Sequence, residues 1–347
     1  MEASGETTAG FRRRMLRLHP YEYHRPSRVD DALELLAEHG DDAMPIAGGT
    51  DLVPNMKHKL FTPGHLVALR GIDEMNGIEE VDGAVRIGAS TTLQDVTEDP
   101  TVRRHFPALA KACRQISGPQ LRRMGTIGGN LCLDTRCTYY NQTRFWRKAL
   151  GFCLKKEGDE CHVIPGGTRC VAAHSADTPP LLMTLGATVE IAGPEGRREM
   201  SVDDLFTSDG IWNRRMEPGE LITAVTVPLP GEGVLSSFQK LRPRAALDFP
   251  ILNLAVTARL DGDRRVRELR MVASAMGAYP RTIGKVEEAA RGQRLEGQVV
   301  DTVARQAYRQ CHPLENIPVD PEWRKAMVPV LVRRALEEIG NGGVRAS

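Results

Sequence analysis

The chain has 347 residues, 41% hydrophobic and 26% charged, with Lys+Arg 46 against Asp+Glu 45. That size and composition fit two or three globular domains with a core that forms without staples. The near-zero net charge argues against nucleic acid or an anionic membrane as a partner held by a broad basic field. No run approaches the roughly 20 apolar residues of a membrane span, so no membrane partner is expected. Residues 1–19 hold consecutive arginines without an apolar run behind them, which reads as a flexible basic extension and neither a secretory signal nor a twin-arginine leader. A cytoplasmic protein is expected.

From residue 20 onward, SRVDDALELLAEHG predicts an amphipathic helix, with Ser27 as N-cap, Asp30 three residues on, and Gly40 as the stop. AMPIAGGTDL predicts a short strand that ends in a glycine pair. HLVALRGI reads as a strand, AVRIGASTTLQDV as a strand turning into a helix, and FPALAKACRQIS as a helix. MGTIGGNL then repeats the glycine pair beside small polar residues. The alternation of strand, glycine turn and helix predicts a mixed helix and sheet unit.

The second half changes character. ATVEIAGPEGRREMS predicts a hairpin, LITAVTVPLP a strand, and LNLAVTARLDGDRRVRELRMVASAMG a longer hairpin around Asp261-Gly262. Helices are expected in RTIGKVEEAARG, QVVDTVARQAYRQC and PEWRKAMVPVLVRRALEEIG, with LPGEGVLSS, residues 229–237, as the linker between two domains.

Two glycine loops carry the first functional signal. A glycine pair flanked by Thr or Asn lets successive backbone N–H groups face one concavity, because no Cβ obstructs an anion. One such turn is commonplace; two in one unit, AGGTDL and TIGGN, could grip the two phosphates of a dinucleotide from opposite sides. Neither is a GxGxxG or a GxxxxGK[ST], so neither a Rossmann unit nor a P-loop is indicated.

Five of the seven cysteines fall within residues 131–170. In a reducing compartment such a cluster reads as metal ligands or redox groups, and an odd total does not fit complete pairing into disulfides. Cys113 and Cys311 lie in helical patterns and read as small buried residues.

The ordered set PIAGGTDLVP, RIGASTTLQDV, ISGPQLRRMGTIGGNL and SADTPPLLMTLGATVEIAG, with FQKLRPRAALDFPILNLAV beyond it, resembles the flavoprotein subunits of the xanthine dehydrogenase and carbon monoxide dehydrogenase family of molybdenum hydroxylases. The resemblance runs from about Tyr21 to about Gly340. It implies an α+β fold: a two-part FAD-binding domain over 20–230, then a smaller α+β C-terminal domain over 236–342. It also implies that Ile46, Ala47, Gly48, Gly49, Thr50 and Asp51, with Thr126, Ile127, Gly128, Gly129 and Asn130, hold the FAD pyrophosphate. By the same resemblance Asp177 reaches the ribityl or flavin region, and Lys240 lies near the isoalloxazine. Without it, Asp177 would read as the N-cap before Thr178-Pro179-Pro180 and Lys240 as a solvated strand residue. No catalytic residue is expected on this chain.

The sequence departs from the family pattern at one place. Asn130 and Asp177 stand 47 positions apart, where most such subunits have a short loop, and the added segment, 131–172, is the cysteine-rich stretch. Its aromatics Tyr139, Tyr140, Phe145 and Trp146 argue against disorder. Cys132 occupies a position where related chains often have Cys without extra metal, which leaves Cys137, Cys153, Cys161 and Cys170, spaced 16, 8 and 9 residues apart. By count, four thiolates suit tetrahedral zinc or a [4Fe-4S] cluster, and the spacing chooses neither; His162 could replace one thiolate at zinc.

The insert itself resembles that of the FAD subunits of 4-hydroxybenzoyl-CoA reductases. This implies a [4Fe-4S] cluster on Cys137, Cys153, Cys161 and Cys170. It further implies a molybdopterin-containing large subunit, a small [2Fe-2S] subunit, ferredoxin as electron donor, and an (αβγ)2 assembly. The alternatives are the FAD subunit of a hydroxylase with another aromatic or heterocyclic substrate, and a structural zinc module on a flavin fold.

Overall fold

The computed structural model describes residues 16–344, so most of the expected extension 1–19 lies outside the described residues. The chain opens with a parallel sheet of β1 (Glu22–His24), β2 (Ala43–Ile46) and β3 (His65–Ala68), in the order β1-β3-β2. The helix Val29–His39 joins β1 to β2 and buries Val29, Ala32 and Leu36, the face its apolar spacing defines. Gly40 ends it at φ 49°, a conformation open to glycine. The N-cap is Arg28, without a side-chain cap, and not Ser27 as expected. Asp30 and Asp31 in the first turn instead set negative charge against the positive end of the helix dipole.

An antiparallel sheet follows, ordered β4-β5-β8-β6-β7, from β4 (Ile78–Val81), β5 (Ala84–Gly88), β6 (Thr188–Gly193), β7 (Gly196–Ser201) and β8 (Leu221–Pro228). Asp82 and Gly83, at φ 51° and 76°, make the tight β4–β5 turn whose twist matches its strands. The helices Leu93–Glu98, Pro107–Arg114 and Thr178–Thr184 bury Leu93, Leu109 and Leu181 in one core with Ile87, Val189 and Val225 of the sheet.

The C-terminal unit is a four-stranded antiparallel sheet, β12-β11-β10-β9, of β9 (Val234–Leu241), β10 (Leu252–Leu260), β11 (Val266–Ser274) and β12 (Arg281–Thr282). Period-two alternation gives it two apolar faces. Phe238, Ala255 and Val272 enter the core of the first unit, while Leu254, Val256, Met271 and Ala273 pack under the helices Gly297–Gln310 and Pro321–Gly340. Two expectations are corrected here. The linker is shorter than 229–237, because β9 starts at Val234 and pairs at once with Arg259. The helix expected from Arg281 covers only Val286–Ala290, since Arg281 and Thr282 extend the sheet beside β11.

Candidate cofactor and thiol sites

The first glycine loop leaves the C-terminal end of β2 and enters the helix Leu52–Lys57, with Gly49 at φ +67°. A Cβ on Gly48 would lie 1.8 Å from the Met124 carbonyl oxygen, and one on Gly125 would lie 3.3 Å from Thr50 Oγ1. The two loops therefore adjoin along their backbones and form one continuous surface.

They do not contribute alike. Among the described residues, the backbone N–H groups of Gly48, Gly49 and Thr50 donate to no protein atom, so this loop presents an open nest. In the second loop the amides are committed internally: Ile127 N–H to Thr91 O at 3.0 Å, Gly128 N–H to Ala89 O at 2.9 Å, and Asn130 N–H to Thr126 O at 2.9 Å. Gly129 N–H donates to Thr126 Oγ1 at 3.0 Å. The expectation of two equivalent nests is thus corrected. The second loop offers instead an exposed, Cβ-free face at Gly129, where a Cβ would meet only Thr126 Oγ1 at 3.0 Å. Three unspent amides beside a bare glycine fit a diphosphate.

Asn130 turns inward. Its Oδ1 accepts from Thr178 N–H at 3.0 Å and Thr178 Oγ1 at 2.7 Å, which ties the second loop to the start of the Thr178–Thr184 helix. Asp177 occupies the N-cap position there but makes no cap, so its local reading fails. Its Oδ2 accepts from Lys240 Nζ at 2.8 Å and its Oδ1 from Asn253 Nδ2 at 2.9 Å. Lys240 on β9 and Asn253 on β10 are register partners, and Lys240 also donates to Gln115 O at 3.0 Å. The expectation of a solvated Lys240 fails as well: the side chains of the pair are 1% and 4% exposed. Burial pushes the Asp177 carboxyl up and the Lys240 ammonium down, and each opposes the other's shift. The sequence reading missed Asn253, whose only signal is a lone amide inside the apolar run LNLAV.

The insert is ordered around its cysteines. Arg136 and Ala173 exchange backbone hydrogen bonds at 2.8 and 2.6 Å, closing the segment at its base. Cys137 O accepts from Tyr140 and Asn141 N–H, and Cys153 O from Lys156 and Gly158 N–H, so both cysteines sit in tight turns. Tyr140 and Cys153 pack with Leu60 beyond the first glycine loop, and the 1%-exposed Arg147 clamps the insert to that segment through Lys59 O while pairing with Glu157 inside the insert. Of the insert's aromatics, Phe145 and Trp146 are exposed and Tyr140 supplies the core.

Cys137, Cys153, Cys161 and Cys170 line a single cavity, with Tyr139 and Ala172 among its walls, while Cys132 is not part of it. All seven cysteines carry free thiols. Burial pushes the Cys137 thiol up, against hydrogen bonds from the Tyr139 and Tyr140 backbone. Burial likewise pushes Cys170 up to about 11. Burial thus disfavours the thiolate at Cys137 and Cys170 in the absence of a cation. Among the described residues no three of these sulfurs lie within 4.8 Å of one another, whereas one tetrahedral zinc with bonds of about 2.3 Å needs sulfurs about 3.8 Å apart. His162 also lines the cavity; its Nε2 is hydrogen-bonded to Phe152 O and its ring is tilted against Tyr139 at 5.2 Å.

One side chain links the two sites. Arg136, adjacent to Cys137, pairs with Asp51 of the first glycine loop and covers the Phe249 ring at 3.8 Å. Burial pushes the Asp51 carboxyl up and Arg136 opposes this. The sequence reading did not single out Arg136.

The open nest, the bare glycine and a thiol chamber one ion pair away define a dinucleotide-binding redox protein. Residues 19–230 match the FAD binding domain in molybdopterin dehydrogenase, and residues 236–339 match the CO dehydrogenase flavoprotein C-terminal domain. The chain is 32% identical to the carbon monoxide dehydrogenase medium chain of Afipia carboxidovorans, over 91% of this chain and 96% of that one. It is 33% identical to the aldehyde oxidoreductase FAD-binding subunit PaoB of Escherichia coli, over 84% of this chain and 91% of that one. Among solved structures, the carbon monoxide dehydrogenase of Hydrogenophaga pseudoflava superposes with TM-score 0.76 at 28% identity, covering 92% of this chain and 97% of that one. The chain therefore belongs to the FAD-binding subunits of the molybdenum hydroxylases, the family of the carbon monoxide dehydrogenase medium chains. It is an FAD-binding oxidoreductase subunit with the two-part α+β architecture of that family. Among the described residues no helix is long and apolar enough to cross a membrane.

Proposed function

We propose that the chain is the electron-transfer flavoprotein subunit of a cytoplasmic, molybdenum-dependent 4-hydroxybenzoyl-CoA reductase. In this reading Cys137, Cys153, Cys161 and Cys170 hold a [4Fe-4S] cluster in an insert, 131–172, on the FAD-binding domain 20–230, with a C-terminal domain at 236–342. The partners are a small [2Fe-2S] subunit and a molybdopterin subunit in an (αβγ)2 assembly, with ferredoxin as donor, for reductive removal of the phenolic hydroxyl to give benzoyl-CoA. The observation that carries the reading is the convergence of four thiols of the insert on one cavity, which Arg136 and its ion pair with Asp51 tie to the first glycine loop. The family match supplies the flavin; the cluster rests on those thiols and on the resemblance of the insert.

The bound flavin exchanges electrons singly or in pairs, which matches it to one-electron iron–sulfur partners on either side. The chain's residues bind and insulate. Gly48, Gly49 and Thr50 donate N–H groups to the diphosphate, and Gly129 admits it closely. Ile46, Ala47 and Asp51 shape the first loop; Thr126, Ile127, Gly128 and Asn130 hold the second in place. Asp177, Lys240 and Asn253 form a fixed polar wall at the flavin end. Arg136 keeps the insert in register with the first loop.

Anaerobically isolated complex should contain one FAD and, from the four-iron cluster formula, about four irons on this chain. Cys137→Ser, Cys153→Ser, Cys161→Ser and Cys170→Ser should each lower iron, and Cys132→Ser should not. Zinc without iron would defeat the cluster, and FMN or no flavin would defeat the cradle. The similarity to a carbon monoxide dehydrogenase medium chain favours a second reading, the FAD subunit of a hydroxylase with another substrate. The complete complex decides between them: dehydroxylation of 4-hydroxybenzoyl-CoA with reduced ferredoxin supports the first, and its absence beside oxidation of carbon monoxide, an aldehyde or a heterocycle supports the second.

A further inference from the structure

Far along the chain from the thiols, three histidines meet on one face of the N-terminal sheet. His24 ends β1, His39 ends the helix Val29–His39, and His65 begins β3. One ring nitrogen from each lies within 4.8 Å of the other two, and all three residues are half-buried. The His39 and His65 rings are parallel, 3.7 Å between centroids at 3°. His24 Nε2 stands 3.0 Å from His65 Nδ1, a hydrogen bond that requires a lone pair on one of the two nitrogens. Glu22 brings a carboxylate oxygen to 3.8 Å from His65 Nδ1, through the β1–β3 register that pairs Glu22 with His65.

We propose that His24, His39 and His65 form a divalent transition-metal site, of the class that imidazole favours and zinc represents, with Glu22 or water as fourth ligand. Zinc–nitrogen bonds of about 2.0–2.1 Å in a tetrahedron place the nitrogens about 3.4 Å apart. To aim their lone pairs at one ion, the His39 and His65 rings turn out of their parallel stack, at the loss of that stack and of one hydrogen bond. The location favours a cation: His39 sits at the carbonyl end of an 11-residue helix, where the dipole is negative. The site also has mechanical work to do. β1 has three residues and a single strand neighbour, β3, so one ion bound to β1, the helix end and β3 would clamp the edge strand to the sheet.

The test is zinc binding to the tag-free full chain, loaded with flavin and iron so that the thiol chamber is filled. Equilibrium dialysis with metal analysis gives stoichiometry, and zinc-edge X-ray absorption gives the ligand atoms. The expected result is one zinc per chain in a nitrogen and oxygen shell. Affinity should fall at least about tenfold in each of His24→Ala, His39→Gln and His65→Ala, and zinc should raise the melting temperature of the unaltered chain only. Iron and FAD contents, unchanged in the variants, report that they fold. A sulfur shell, equal affinity in all three variants, or no saturable binding below about 1 mM would overturn the proposal and leave a stacked histidine cluster.

Discussion

Asp177 and Lys240 meet at 2.8 Å across the junction of the two units, one at the start of a helix in the first and the other on β9 of the second. Both side chains are almost completely buried, and Asn253 completes the carboxylate. Removing one partner of such a pair leaves a buried unpaired charge at a cost of about 3–5 kcal/mol. Lys240→Met should lower stability by that order in urea unfolding and release flavin. Asp177→Asn combined with Lys240→Met should recover part of the loss. A double variant no better than Lys240→Met alone would show that the lysine acts through packing.

The two glycine loops separate folding from binding. A Cβ at Gly48 would run into the Met124 carbonyl, so Gly48→Ala should damage the fold itself and lower the melting temperature even without flavin. A Cβ at Gly129 points to open space beyond Thr126 Oγ1. Gly129→Val should therefore stay folded by circular dichroism while losing FAD, because the side chain fills the approach to the cradle. Equal flavin content in Gly129→Val and the unaltered chain would remove that loop from the site.

Much of this was legible in the sequence because the signals are local. Glycine pairs, strand alternation and the hairpins around residues 193–196 and Asp261-Gly262 depend on neighbours a few residues away, and the structure has those hairpins. What was illegible depends on distant contacts. Thr178 and Pro179 make Asp177 look like a helix cap, and only the folded β9–β10 pair reveals Lys240 and Asn253 as its partners. The amides of 127–130 look free in TIGGN, yet Thr91 O and Ala89 O take two of them. The histidine trio is invisible for the same reason: its members come from three elements brought together by a parallel sheet.

Arg136 offers a test of the link between the chambers. Its loss removes the ion-pair partner of Asp51, leaving Asn55 Nδ2 on that carboxylate, and the cover over Phe249 at once. Arg136→Gln should lower iron and FAD together, because one change frees both the base of the insert and the first glycine loop. Cys153→Ser should lower iron while leaving most FAD in place. Iron loss with full FAD in Arg136→Gln would mean that the insert is anchored independently of the flavin loop.

His174 lies between the thiol chamber and Asp177 in sequence and is 0% exposed; its ring meets Phe206 edge-on at 4.7 Å, and neither ring nitrogen has a hydrogen-bond partner. Burial first, and the Arg214 charge second, lower its pKa from 6.5 to about 3. The unfolded chain takes up this proton below about pH 6.5, and the folded chain holds it off until about 3. The stabilisation from keeping His174 neutral is thus complete above that upper value and is lost as the pH falls toward the lower one. At pH 5 the loss amounts to about 2 kcal/mol. His174→Leu should abolish this component. The drop in urea midpoint between pH 7.5 and pH 5 should then be smaller in the variant than in the unaltered chain, even if the variant starts lower through imperfect packing. Equal drops in the two proteins would show that His174 finds a proton or a water inside the fold.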